Sequence, residues 1–431
     1  MQPLLAILGA GPMGIEAALE ASRSGFRVVV YEAGRVGEHL RRFAHVRLFT
    51  PFAMNATPSG REALLRAGAA LPEDGTLLTA GALAERYLEP LARVLAPSVE
   101  VREYHKVTHV GRDGASKGSP LTRGGVPRRS LPFLLRVERD GSVRHERADF
   151  VIDATGVYGS PCDLGPGGLP AAGQESLGGL LDRHIPDLLG SARDRYAGRR
   201  VLLLGSGHSA ATALVDFEAL AGQGAGAEVH WIHRDRERCF REVPADPLPA
   251  RSELARRANA VARSAPWLRR HPEAEVVGFL PGRNGAVTAL LVENGSEVRL
   301  PVDRVLALVG YRPDLEMTRE LRVHTCYESE GPMKLAAAIQ AAGGGSGDCL
   351  AQVAHGPASL ETPEPGFCVV GAKSYGRNPD FLLSVGHQQA RDAVSLIAVA
   401  RARSAGTMNE TQHPKGDDGW LETTETPQTT T

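Results

Sequence analysis

Two glycine clusters carry the plainest chemistry in this sequence. Gly9-Ala10-Gly11-Pro12-Met13-Gly14 follows an apolar run at residues 4–8 and opens a helical pattern at 12–24. Gly205-Ser206-Gly207-His208-Ser209-Ala210 repeats the arrangement after the run 201–204 and before a helical pattern at 207–220. In such a strand-turn-helix the first glycine permits the tight turn, and the second lets backbone approach a pyrophosphate. The third small residue allows close packing of helix on strand. The helix N-terminus then offers unpaired N–H groups and a positive dipole end to the phosphates. Pro12 fits the first helical turn, where its missing donor costs little. Ser209 adds a hydroxyl to the second loop.

The residues that follow each cluster differ in charge. Glu32 ends the strand after the first, 23 positions beyond Gly9, where a carboxylate accepts both hydroxyls of a ribose; the alternative is a surface turn. The second strand ends in His233-Arg234-Asp235-Arg236-Glu237-Arg238. No acid stands there to hold a 2′-hydroxyl. Arg234 and Arg236 offer forked donors to a 2′-phosphate, which favours NADP over NAD. The alternative is a solvated turn of mixed charge.

The elements around these loops read as alternating strands and helices, hence as an α/β protein. The pattern predicts a β-α-β unit over the first 31 residues and a second from Arg200 to Ile232. It predicts one amphipathic helix at 79–96, one strand at 99–110 and a flexible insertion at 112–130 within a hairpin. Strands are expected at 134–137, 150–152, 288–292, 304–309 and 367–370. Helices are expected at 252–264 and 380–400, and a Gly-rich loop at 341–347. The polar, Thr-rich end from 404 reads as a disordered tail.

Composition excludes several classes. The chain has 431 residues, a net charge of −1, 42% hydrophobic and 5% aromatic residues. It has no global basic field to attract nucleic acid, and few rings for stacking on single strands. No apolar run approaches the roughly 18–20 residues that span a bilayer. Met-Gln-Pro leads directly into an apolar run without a basic segment, so no signal peptide and no membrane partner are expected. Five scattered cysteines, at 162, 239, 326, 349 and 368, point to a reducing cytoplasm. No Cys/His spacing suits a metal.

The order of motifs resembles a known superfamily. A glycine fingerprint is followed by Asp153-Ala154-Thr155-Gly156 and a second fingerprint. Leu308-Val309-Gly310-Tyr311-Arg312-Pro313 and Val369-Val370-Gly371 come next. This resembles the two-dinucleotide-binding-domain flavoproteins, which include thioredoxin reductases, disulfide reductases and flavin-containing monooxygenases. The resemblance covers roughly residues 4–400. It implies two Rossmann-like three-layer domains, the NAD(P)-binding one inserted in the FAD-binding one. FAD would be held by Gly9, Gly11, Gly14, Glu32, Thr155, Gly156 and Gly371. NADPH would be held by Gly205, Gly207, Ser209, Arg234 and Arg236. The implied boundaries are 1–161 and 311–403 for FAD, 162–310 for NAD(P)H, and 404–431 for the tail.

Within that superfamily, two features bear on the branch. The smallest cysteine spacing is 19 residues, from Cys349 to Cys368, unlike the close pair of the disulfide reductases. The segment Leu48-Phe49-Thr50-Pro51 through Asn55-Ala56-Thr57-Pro58 resembles the Thr-Asn-x-Pro stretch of the monooxygenases, with the proline one place late. That resemblance implies an NADPH-reduced flavin monooxygenase. It would form a C4a-hydroperoxyflavin, stabilised by the Asn55 amide, and oxygenate a small nucleophile. Asn55 as a plain loop residue is the alternative. Lys373, after Gly371, is either a cation near flavin N1 or part of a basic surface turn. A reductase without oxygen insertion and a flavin-binding sensor are the competing functions. Partners would be a small substrate and oxygen, with a homodimer as the base-rate assembly.

Replacing Arg234 and Arg236 together with alanine is expected to raise the KM for NADPH about 10-fold or more, at ~1.5–3 kcal/mol per charge-assisted hydrogen bond lost. The KM for NADH should stay unchanged in the same steady-state assay. Equal effects on both nucleotides would overturn the 2′-phosphate assignment.

Overall fold

Val, Leu and Ile dominate the short runs that become the parallel strands, because both faces of such strands are covered. The computed structural model describes residues 2–120, 122–123, 126–234, 239–282, 286–343, 350 and 352–404. Its first sheet has five parallel strands in the order Phe367–Val369, Phe150–Asp153, Leu4–Leu8, Arg27–Tyr31 and Val99–Arg102. Alternate residues serve different layers. Leu5, Ile7, Val28 and Val30 pack under the helices, among them Pro12–Arg23 and Leu383–Ser404. Ala6, Leu8, Val29 and Tyr31 face a three-stranded antiparallel layer formed by Lys106–Arg112, Phe133–Arg139 and Ser142–Ala148.

The second sheet repeats this plan. Its parallel order is Leu181–Asp182, Arg304–Ala307, Arg200–Leu204, Glu228–His233 and Leu268–Pro272. Val201 and Leu203 face the helices His208–Gly222 and Pro249–Ser264. Leu202 and Leu204 face an antiparallel layer of Glu275–Pro281, Val287–Glu293 and Ser296–Val302. The first sheet takes its edge strand from residues 367–369, after the whole second sheet has been laid down. The fold is therefore two Rossmann-like three-layer units, one inserted in the other.

Several local expectations change. The strand expected at 99–110 is two strands in different layers, broken where Tyr104 takes a left-handed φ of 58°. The helix expected at 79–96 is present, but residues Ala84–Leu88 form a π-turn. Pro90 explains it. A proline inside a helix removes one donor and crowds the carbonyl four residues earlier, and a widened turn relieves both. That turn also carries Tyr87, whose hydroxyl donates to the buried Glu16 carboxylate of the fingerprint helix. Thr57 Oγ1 donates to the same carboxylate at 2.7 Å. The insertion at 112–130 does lie in a hairpin, yet its far end is anchored rather than loose: Arg128 is buried. The tail from 405 and the segment 344–349, which contains Cys349 and most of the expected Gly-rich loop, lie outside the described residues.

The anchor is a buried ionic triad. Glu364 Oε1 meets Arg112 Nε at 2.8 Å and Oε2 meets Arg128 Nη2 at 3.0 Å, with side-chain exposures of 0%, 1% and 3% respectively. Burial works against the Glu364 charge. Arg128, the Arg322 N–H and Arg112 outweigh it and hold its carboxyl below the usual range. Glu364→Gln leaves two guanidinium groups buried without an anion. We expect a loss of about 3–5 kcal/mol, read as a lower urea midpoint; an unchanged midpoint would show that the triad is solvated in solution.

Candidate functional site

At the carboxyl end of Leu4–Leu8 the chain turns at Gly9, with φ +95°. A Cβ there would stand 2.7 Å from the Ala154 carbonyl oxygen. A Cβ on Gly14 would overlap the Gly9 carbonyl oxygen. Both glycines are thus required by the protein's own backbone. Gly11 is different. It is extended (φ −75°, ψ −173°), and a Cβ on it would meet no protein atom within 4 Å. The helix beginning at Pro12 has no side-chain cap, so its first N–H groups face that open cradle. The room is what a pyrophosphate needs.

Glu32 sits beneath the same loop. Its Oε2 accepts from Ala10 N at 2.7 Å and its Oε1 from Gly34 N at 2.8 Å. Burial raises its pKa, partly offset by these N–H groups. Each carboxylate oxygen keeps a further lone pair for a ribose hydroxyl.

The second loop is built the same way. Gly205 has φ +126°, and a Cβ on it would overlap the Leu308 carbonyl oxygen. Gly207 again has only open space before it, and the helix from His208 again lacks a side-chain cap. Trp231 Nε1 donates to Gly205 O at 2.8 Å and braces the turn from the neighbouring strand. Ser209 and Arg234 are exposed, and Arg236 lies outside the described residues. Sequence reasoning missed Arg270. It comes from the next strand, opposite Trp231 in register, and its Nε lies 3.4 Å from His233 Nε2. It is a further cation beside the strand end that Arg234 leaves.

The carboxyl ends of three strands of the first sheet converge near the first loop. Gly156 is left-handed (φ +68°) with open space before it. Gly371 (φ +78°) comes so near the fingerprint that a Cβ would lie 2.9 Å from Met13 Cγ. Gly371 N donates to Gln389 Oε1 at 2.9 Å. Lys373 is buried, so the basic surface turn is excluded. Its Nζ lies 2.6 Å from Asp153 Oδ2 and donates to Thr155 Oγ1 at 3.3 Å. Arg377, nearby in sequence, turns outward to Glu330 at 2.8 Å. Asn55 is buried on the short helix Phe52–Asn55. Its Oδ1 accepts from Thr50 Oγ1 at 2.7 Å and its Nδ2 donates to Thr50 O at 2.9 Å. Its amide therefore closes the 50–55 loop.

Aromatic and imidazole rings line the seam between the two units. Phe49 lies 5.5 Å from His208, at the first turn of the second fingerprint helix. Tyr158 contacts Phe43 at 5.4 Å, His39 at 5.8 Å and Tyr311 at 4.7 Å. Tyr311 stacks on His184, whose Nδ1 lies 2.6 Å from its hydroxyl. Burial, with Arg42 nearby, lowers the His39 pKa to about 4 and lowers that of His184. Desolvation also lowers that of His208, although the residue is exposed. Desolvation thus favours the neutral form of the half-buried His39 and His184. Among the described residues no group of His, Cys, Asp or Glu is placed to hold a metal, and no helix is long and apolar enough to cross a membrane.

The model of the pyridine nucleotide-disulphide oxidoreductase family matches residues 4–331. The chain belongs to that family. This oxidoreductase uses FAD and NADP(H), and the two cradles described above fit their pyrophosphates. No curated protein matches it in sequence. Its fold is similar to that of the bacillithiol disulfide reductase Bdr (YpdA) from Bacillus cereus, with 18% identity over 93% of this chain and 99% of that one, TM-score 0.65. It is also similar to the ornithine N-hydroxylase KtzI of Kutzneria sp. 744, with 14% identity, coverage of 94% and 100%, and TM-score 0.60. A thioredoxin reductase of T. acidophilum gives 15% identity, coverage of 92% and 98%, and TM-score 0.57.

The open cradles separate ligand demands from folding demands in this oxidoreductase. Gly11→Ala and Gly207→Ala should each leave the unfolding midpoint of the apoprotein unchanged. Gly11→Ala should weaken FAD binding, and Gly207→Ala should weaken NADPH binding, each about 10- to 100-fold, the equivalent of one or two contacts to a charged group. Titration of apoprotein with FAD, and of holoprotein with NADPH, would check this. A crossed pattern would reverse the assignment of the two loops.

Proposed function

We propose that this oxidoreductase is an NADPH-reduced flavin monooxygenase that oxygenates a small nucleophilic substrate. The observation that carries the reading is the ring-lined seam. Phe49, on the loop that also bears Asn55, packs against His208 of the NADPH loop. Tyr158, His184 and Tyr311 form a second ring cluster drawn from both units. Oxygen transfer from a reduced flavin needs shielding from water more than electron transfer does, and the half-buried rings Phe49, Tyr158 and Tyr311 would supply part of that shield. The fold itself does not choose, since reductases and hydroxylases share it.

FAD, when bound, supplies hydride acceptance from NADPH and, once reduced, reactivity toward oxygen. The chain's own residues supply the rest. In this reading residues 1–161 and 311–403 hold FAD, and 162–310 hold NADPH. The helices from Pro12 and His208 anchor the two pyrophosphates. Glu32 takes the FAD ribose, while Arg234 and Arg236 take the 2′-phosphate of NADPH. Thr155, Gly156 and Gly371 form the crevice wall on the flavin side. Asn55 keeps one amide proton after bonding Thr50 O, and that proton is free to donate. Met13 stands within the fingerprint, against Gly371. Cys368, the thiol on the neighbouring strand, is buried and its pKa is pushed up to about 12, so it stays protonated and inert.

The test reduces the bound flavin with NADPH under anaerobic conditions, then mixes it with oxygen in a stopped-flow spectrometer. We expect a delayed return of the oxidised flavin spectrum, with little hydrogen peroxide. Isotope-labelled oxygen should appear in an amine or thioether substrate. Immediate reoxidation with one peroxide per NADPH, with or without candidate substrates, would overturn the reading in favour of a reductase.

A further inference from the structure

Asp153 has a partner set that its place in a strand does not require. It ends the strand Phe150–Asp153, in register with Leu8 on one side and Val369 on the other. Its side chain is fully buried. Oδ1 accepts from Thr155 N at 3.1 Å and from Thr155 Oγ1 at 2.7 Å. Oδ2 lies 2.6 Å from Lys373 Nζ, which also reaches Thr155 Oγ1 at 3.3 Å. The three side chains close a ring at the carboxyl edge of the first sheet. That edge is where a dinucleotide lies in an open α/β sheet.

Stability alone is a poor reason for this ring. A buried ion pair contributes about as much as a well-packed apolar pair of the same size, and often less. The donor inventory points to a ligand. Lys373 has three N–H donors, of which Asp153 and Thr155 take two. The third remains. The Thr155 hydroxyl proton is committed to Asp153, so its oxygen is left only as an acceptor. The turn that delivers Lys373 is fixed at its base. Gly371 N is tied to Gln389, and Ser374 Oγ donates to Gly371 O at 2.8 Å.

We infer that Asp153 is a positioning residue for the flavin: it pins Lys373 and Thr155 in the crevice and cancels most of the lysine charge that the isoalloxazine would otherwise feel. A lone buried cation there would favour the reduced, anionic flavin strongly, because charges interact more strongly in a low-dielectric site. Paired with Asp153, it presents one directed donor and a small net field. The inference rests on FAD lying in this crevice, as in the reading above, and is independent of what the reduced flavin then does.

The test measures the midpoint potential of bound FAD by dye equilibration in the holoprotein and in three variants. Asp153→Asn should move the potential positive, since Lys373 loses its counter-charge. Lys373→Met should move it negative, since Asp153 is left alone. The double variant D153N/K373M should return close to the wild-type value. Melting of the apoproteins gives a second readout. Lys373→Met should melt lower and the double variant should recover, so a poorly folded single variant still leaves the pair D153N and D153N/K373M to decide. Unchanged potentials in all variants, with melting temperatures alone affected, would overturn the inference and leave the ring as structural support. A wild-type protein that holds FAD yet never transfers oxygen would count against the oxygenase reading only.

Discussion

The constraint on which the rest depends is the contact between Gly14 and the Gly9 carbonyl. No Cβ fits there, so the fingerprint helix crosses directly over the end of the first strand. That crossing aims the helix N-terminus at the space in front of Gly11. It also fixes where every other group must stand. Glu32 reaches under the loop because Leu8 and Tyr31 are paired in register. Ala154 closes on Gly9 because its strand lies on the other side of Leu4–Leu8. In the second unit Gly205 closes on the Leu308 carbonyl as Gly9 does on that of Ala154, while Ala210 stands where the first unit has Gly14. Two helices are thus brought close to two strand ends, with no side chain at Gly9, Gly14 or Gly205.

The space left open is as informative as the space filled. Gly9, Gly14 and Gly205 are glycine because protein backbone is in the way. Gly11 and Gly207 are not crowded by any protein atom, so folding alone does not require glycine there. The same reasoning separates two kinds of buried charge. Glu364 with Arg112 and Arg128 joins the antiparallel layer to the return of the chain, its arginines also tied to the carbonyls of Leu131, Pro365 and Ser116. Asp153 with Lys373 uses similar chemistry at a strand end that opens on the cofactor side. Geometry, rather than the presence of an ion pair, distinguishes support from function.

Legibility in the sequence followed sequence distance. The two β-α-β units, their glycines and Glu32 were readable because each signal is complete within about 30 residues. The insertion of one unit in the other was readable only through the order of the motifs. The ionic triad was not, since Glu364 is 252 residues from Arg112 and 236 from Arg128. The seam was equally hidden. Tyr311 stands in the motif that runs from Leu308 to Pro313, but His39, Phe43, Tyr158 and His184 meet it only when the chain is folded. Lys373 could be singled out by its position after Gly371, and Asp153 opens the motif that ends at Gly156, but their pairing could not be read, because they lie far apart in the chain. The π-turn was legible in principle: Pro90 inside an amphipathic pattern demands some accommodation. The break at Tyr104 was not, because a left-handed tyrosine carries no such mark.

The neutral imidazoles of the seam link packing to chemistry. Desolvation lowers His39, His184 and His208 together, and positive neighbours reinforce it, Arg42 for the first two and Arg251 for the third. Low dielectric likewise strengthens the charges of the buried Lys373 and Asp153. That is why compensation of charge matters here more than its sign. An unpaired lysine in such surroundings would dominate the electronics of any ring beside it, whereas a pinned pair leaves a weak and directional field. If the flavin lies beside this pair, as inferred above, Asp153 is the residue that keeps the buried lysine charge from acting on it alone.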